Sequence, residues 1–155
     1  MHNYKKTGVL SKKDLKLPSK KQLERGVAVI ECVQEIPCNP CVDSCPVNAI
    51  SMKDINALPI ADYDKCTGCG KCIGICPGLA IFLIKIKDNR ALITLQYEFL
   101  PIPEVGSKVK ALDREGNVVD NAIVKRVIKK GKTMVITVEA SEDLAMDIRN
   151  IRVNS

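Results

Sequence analysis

Cysteine is the residue type through which this 155-residue chain could do chemistry, and all eight cysteines fall in two runs. The runs read Cys32-x5-Cys38-x2-Cys41-x3-Cys45-Pro46 and Cys66-x2-Cys69-x2-Cys72-x3-Cys76-Pro77. Disulfides suit an oxidising, secreted setting, but Met1-His2-Asn3-Tyr4-Lys5-Lys6 has no apolar signal core. Structural zinc takes its ligands as separated Cys-x2-Cys knuckles and has no use for three cysteines at two-residue intervals closed by Cys-Pro. A pair of [2Fe–2S] centres would need a longer Cys-x4-Cys-x2-Cys spacing, which is absent. The spacing that remains is the one that holds [4Fe–4S] cubanes on thiolate ligands.

The second run, Cys66-Thr67-Gly68-Cys69-Gly70-Lys71-Cys72-Ile73-Gly74-Ile75-Cys76-Pro77, resembles the bacterial dicluster ferredoxin family with no departure in spacing. In that family three close cysteines hold one cubane, while the fourth, followed by proline, reaches across to the other. The resemblance therefore implies two [4Fe–4S] clusters. The first is held by Cys32, Cys38, Cys41 and Cys76, and the second by Cys66, Cys69, Cys72 and Cys45. The first run departs from the pattern. Cys38, Cys41 and Cys45 each precede their counterparts by 31 residues, whereas Cys32 precedes Cys66 by 34, and Glu35 stands at the regular position. A three-residue insertion within Val33 to Pro37 explains the offset, with Cys32 as fourth ligand. A loop of that length also permits a three-iron centre without it.

The elements that must position these ligands divide the chain into three. Residues 1–26 carry eight Lys or Arg against Asp14 and Glu24, a balance of +6 that equals the net charge of the whole chain. They read as an extended basic arm that orders on an acidic partner or stays solvated. Residues 27–87 read as the cluster domain, with six acids against five bases. Val27 to Ile30 should pair antiparallel with Leu79 to Ile84, as in the family. Ala49 to Met52 and Leu58 to Ala61 form a second hairpin, and short helices are expected near Cys41 and Cys72. Residues 88–155 have no cysteine, and their apolar runs are separated by turn signals such as Asp113-Arg114-Glu115-Gly116-Asn117. The expected fold is α+β, a dicluster pseudo-repeat followed by a small antiparallel β-barrel of OB or SH3 type.

Several residues invite more than they can carry. His2 is the only histidine and sits at the terminus; Gly68-Cys69-Gly70 belongs to a cluster loop and opens no dinucleotide site. Tyr63 reads as core packing beside the second cluster loop. The basic hairpin of Lys125, Arg126, Lys129, Lys130 and Lys132 reads as an exposed turn, and nucleic acid is not the expected partner. No apolar run of about 18 residues exists to span a membrane, and a cytoplasmic setting is expected. The layout of arm, dicluster module and trailing strands resembles the small iron–sulfur subunits of FAD-dependent amine, proline or hydroxyproline dehydrogenases of anaerobic bacteria and archaea. That resemblance implies a non-catalytic electron-transfer subunit in a hetero-oligomer with an FAD-containing dehydrogenase. A freely diffusing ferredoxin is the runner-up, and a redox-sensing module that binds nucleic acid is the third reading.

Overall fold

Alternation of side chains is what builds the body of the protein. In the computed structural model, residues 17–31, 40–76, 80–98, 102–130 and 133–153 are described. Seven strands form one antiparallel sheet: β1 (Val27–Ile30), β4 (Ile81–Lys87), β5 (Arg90–Tyr97), β6 (Lys108–Leu112), β7 (Val118–Lys130), β8 (Thr133–Ser141) and β9 (Asn150–Arg152). Their order is β1-β4-β5-β8-β7-β6-β9. A two-stranded hairpin, β2 (Ile50–Ser51) with β3 (Ile60–Ala61), stands apart from it.

Each strand sends alternate residues to opposite faces. On β5, Ala91, Ile93, Leu95 and Tyr97 are buried on one face. The register then sets Val27, Ile84, Ile93, Val138 and Val124 side by side across five strands, all fully buried. Each such side chain contributes about 1.5–3 kcal/mol by leaving water. This row runs through the position near residue 88 where the sequence changes texture. That position is the two-residue turn Asp88-Asn89, both at positive φ, which joins β4 to β5. Asp and Asn tolerate that conformation, and such a turn matches the twist of the strands it joins. The strands of residues 88–155 therefore extend the sheet begun by β1 and β4 and share its core. The texture change marks the end of the cysteine region, and the apolar periodicity continues across it.

The reading of residues 1–26 as extended needs correction at its end. Residues 1–16 lie outside the described residues, but Lys20–Arg25 form helix α1. Ser19 accepts from the Gln22 N–H, the Gln22 side chain accepts from the Ser19 N–H, and Gly26 at φ +92° ends the helix. This reciprocal cap satisfies donors that a short helix would otherwise leave exposed. Leu23 then buries itself in the sheet's core. After β8 comes a 3-10 turn at Glu142–Leu144 and then a closing strand at Asn150–Arg152. No helix among the described residues is long and apolar enough to cross a membrane.

The two ends of the sheet meet at one buried ion pair network. Glu31, directly after β1, accepts from Arg114 at 2.7 Å and from the Arg149 Nε–H. Arg149 also donates to the carbonyls of Ala145 and Ile148 and lies 5.1 Å from the Phe82 ring centroid. Burial lowers the Arg149 pKa, and the Glu31 carboxylate works against that shift. A charge held this deep is tolerated only because its partners are fixed around it. Arg149→Met should therefore cost about 3 kcal/mol in urea unfolding, and adding Glu31→Gln should return part of the loss. A cost under about 0.5 kcal/mol would mean the network is solvated and weak.

Candidate metal centre

The second cysteine run is shaped from its neighbours upward. The Asp62 carboxylate accepts from the Asp64 and Lys65 amides, turning the chain before Cys66. From α1, Gln22 donates to Asp64 at 2.8 Å and Arg25 donates to the Tyr63 carbonyl. Tyr63 itself is buried in the sheet's core. Gly68 takes φ +75°, and a Cβ there would lie 2.9 Å from the Gly26 carbonyl oxygen. No other residue type fits that approach. Gly70, at φ +77°, opens helix α3 (Lys71–Ile75), which carries Cys72 inward and leaves Cys69 exposed. Its Ile73 is fully buried among Ala28, Ile50, Ile81 and Val135. The helix thus packs on the face of the sheet opposite the main core.

Cys45, Cys66, Cys69 and Cys72 line one cavity, with Ala28, Val47, Ile50 and Ala61 among its apolar walls. Cys45 comes from the first run, just after helix α2 (Pro40–Ser44), and it is the thiol that the sequence assigns across to the second cluster. Backbone amides approach the sulfurs. Ala28 N–H donates to Cys66 Sγ at 3.3 Å, Ala49 N–H to Cys45 Sγ at 3.2 Å and Ala80 N–H to Cys76 Sγ at 3.4 Å. The last two repeat one another: each Cys-Pro thiol accepts from the amide four residues on, and the pairs are 31 residues apart. Amide donors to sulfur are expected from the glycine-rich loop, but the donors here are Ala28, Ala49 and Ala80, which the sequence does not single out, although the 31-residue offset of the cysteines carries the signal for two of them.

The other four-cysteine set is half described. Cys41 is buried on α2 and Cys76 caps α3, both within the apolar cluster that surrounds the cavity. Cys32, Cys38 and the insertion between them lie outside the described residues. None of the six described cysteines is in a disulfide. Among the described residues, no three His, Cys, Asp or Glu side chains gather closely enough for a single metal ion. Four thiols are instead spread around a shared space.

The electrostatics of the cavity fit a cationic inorganic core. Burial first, and then the charges of Cys66 and Cys69, push the Cys72 thiol up to about 12. At Cys45 burial also acts upward, but the amides of Ala49, Val47, Ile50 and Asn48 together outweigh it and hold the thiol below its ordinary value. Among the described residues, no Lys or Arg lines the cavity. Four thiolates there require a metal centre to compensate their charge, and binding it expels the thiol protons. A [4Fe–4S] cubane bound by these residues would supply one-electron redox chemistry, with amide hydrogen bonds and burial setting its potential. The protein's share is to hold four sulfurs in place, donate N–H groups to them and keep water from the apolar wall.

Comparison with known proteins agrees with this chemistry. Residues 31–80 match the family described as a 4Fe-4S dicluster domain. The ferredoxin-type protein NapF of Haemophilus influenzae is 40% identical over 60 residues, 37% of this chain and 34% of that protein. A polyferredoxin-like subunit of an aliphatic sulfonate oxidoreductase from Pyrococcus furiosus is 35% identical over 57 residues, 37% of this chain and 33% of that protein. A tetrathionate reductase subunit from Archaeoglobus fulgidus is 32% identical over 101 residues, 63% of this chain and 48% of that protein. The chain thus spans between a third and a half of the length of these relatives. No solved structure matches significantly. The iron–sulfur, electron-transport character of residues 31–80 stands on these matches.

In the metal-free protein, alkylation at mildly alkaline pH should modify exposed Cys69 and amide-assisted Cys45 well before Cys72, because the thiolate is the reactive form. Peptide mass spectrometry over time reads the order. Equal rates at the three sites would contradict the burial described here.

Proposed function

We propose that this chain is the non-catalytic electron-transfer subunit of a multi-subunit oxidoreductase, holding two [4Fe–4S] clusters. Cys66, Cys69, Cys72 and Cys45 hold one cluster, and Cys32, Cys38, Cys41 and Cys76 hold the other. The observation that carries the reading is the position of Cys45, a first-run thiol lining the cavity of three second-run thiols. Structural zinc pairs two separated Cys-x2-Cys knuckles; three closely spaced thiols of one run joined by a single Cys-Pro thiol of the other is the arrangement of a dicluster ferredoxin. The cytoplasm is the compartment that suits it.

For the partner, the basic arm and the widened first loop support an FAD-containing dehydrogenase that oxidises a small amine or imino acid. Several relatives are named as subunits of oxidoreductases acting on sulfur compounds. They support the subunit role and offer a competing kind of catalytic partner. In the flavoprotein case, the two clusters conduct the flavin's electrons onward one at a time.

Two measurements test this reading. Cys45→Ser should damage the cluster of the second run and Cys76→Ser that of the first, seen as loss of different halves of the reduced paramagnetic spectrum. Loss of the same half in both variants would refute the crossed assignment. Native purification should yield a complex well above the 17.0 kDa chain with flavin released on denaturation. A large complex without flavin would exclude the FAD partner, and a lone monomer would favour a diffusing ferredoxin.

A further inference from the structure

The face of the sheet that carries the cluster loop is only partly covered by it. Ala28, whose amide reaches Cys66, starts a cross-strand row that continues through Leu83, Thr94 and Thr137 to Arg126. Near Leu83 the row lies under Gly68, Cys69, Gly70 and Lys71 of the second cysteine run. Beyond that loop, a groove opens across β4, β5, β8 and β7, and exposed Lys85, Lys87, Arg90, Lys125 and Arg126 line it.

The pattern that makes this groove basic is local. Lys85 and Lys87 alternate with core residues on β4, and Arg90 stands opposite Lys87 across the Asp88-Asn89 turn. A bulge between Val124 and Arg126 breaks the alternation of β7, so consecutive Lys125 and Arg126 both line the groove. Among the described residues only two carboxylates, Asp88 and Glu139, also line it, and Glu139 already pairs with Arg90 at 3.2 Å and Lys125 at 3.3 Å. Among the described residues, Lys85, Lys87 and Arg126 have no carboxylate partner. Five cations against two acids is a strong local excess on the face where an exposed cluster-loop thiol, Cys69, comes to the surface.

We propose that this groove is the docking face for an acidic protein partner in electron transfer, seated against the loop of the second cluster. The inference rests on the electron-transfer reading and adds the place and charge of the partner. Four strands make the groove about 14 Å wide, a span for a protein surface more than for one small anion. Among the described residues, its lining has no aromatic side chain on which a nucleobase could stack. Positive charge beside the loop steers an acidic partner to the thiol nearest the surface.

An acidic flavodoxin, titrated into the oxidised holoprotein and followed by amide nuclear magnetic resonance, serves as the probe. The expected shifts centre on Lys85, Lys87, Arg90, Lys125 and Arg126, and affinity falls tenfold or more between about 0.01 M and about 0.15 M salt. The double variant Lys85→Glu with Arg126→Glu should bind at least tenfold more weakly at low salt while keeping its iron and sulfide. Should that variant fail to fold, the native map and salt dependence decide alone. Shifts centred elsewhere, affinity indifferent to salt, or a variant that binds as tightly would overturn the docking face. So would salt-sensitive binding of a single-stranded DNA oligonucleotide to these residues without binding of flavodoxin. A protein that holds iron and sulfide yet fails this test loses only the docking face; one without iron or sulfide loses the electron-transfer reading itself.

Discussion

Burial of thiols around one shared apolar space is the constraint around which this structure is arranged. Cys45, Cys66, Cys69 and Cys72 border one apolar-walled cavity with no basic side chain among the described residues of its lining, and burial pushes the Cys72 thiol up to about 12. Such a site disfavours thiolates until a cationic core compensates them, and it must be held open by parts of the fold that do not depend on that core. The holding parts are identifiable: the Asp62 turn, Gly68 against Gly26, α1 gripping the backbone of Tyr63 and the side chain of Asp64, and amides aimed at two of the four sulfurs.

The sheet gives these parts a common foundation. Its inner face buries one continuous row from Val27 to Val124, and its outer face receives α3 and the second cysteine run through Ala28, Ile81 and Val135. Both faces are set by the same alternation, so the position of a thiol is tied to the registry of strands far along the chain. Glu31 adds a second tie. It stands one residue before Cys32, and it is held by Arg114 and Arg149 from the opposite end of the sheet. The cysteine-free strands of residues 88–155 thus fix the point from which the first cysteine run departs.

Legibility in the sequence followed the range of the signal. Cysteine spacing is local and rigid, so the sequence could propose the crossed pairing of Cys45 with the second run, and Cys45, Cys66, Cys69 and Cys72 line one cavity. The strands β1, β4 and those after residue 88 were visible as alternating apolar runs. The capped helix Lys20–Arg25 was missed because lysine density masks Ser19 and Gln22, the pair that forms its cap. The unity of the sheet was missed for a different reason. Loss of cysteine after residue 87 changes the composition, but Asp88-Asn89 is a hairpin turn, and composition carries no information on which strands pair. The buried contact of Glu31 with Arg149 spans 118 residues and has no local signature at all.

The central claim is that thiols of both runs surround shared [4Fe–4S] centres. Iron and acid-labile sulfide per chain, on anaerobically purified protein, with the electron paramagnetic resonance spectrum of the reduced form, test it most directly. About eight iron and eight sulfide, with two magnetically interacting cubanes, is the result this account requires. About two zinc per chain and no sulfide would contradict it, leaving the cysteine cavities as structural metal sites.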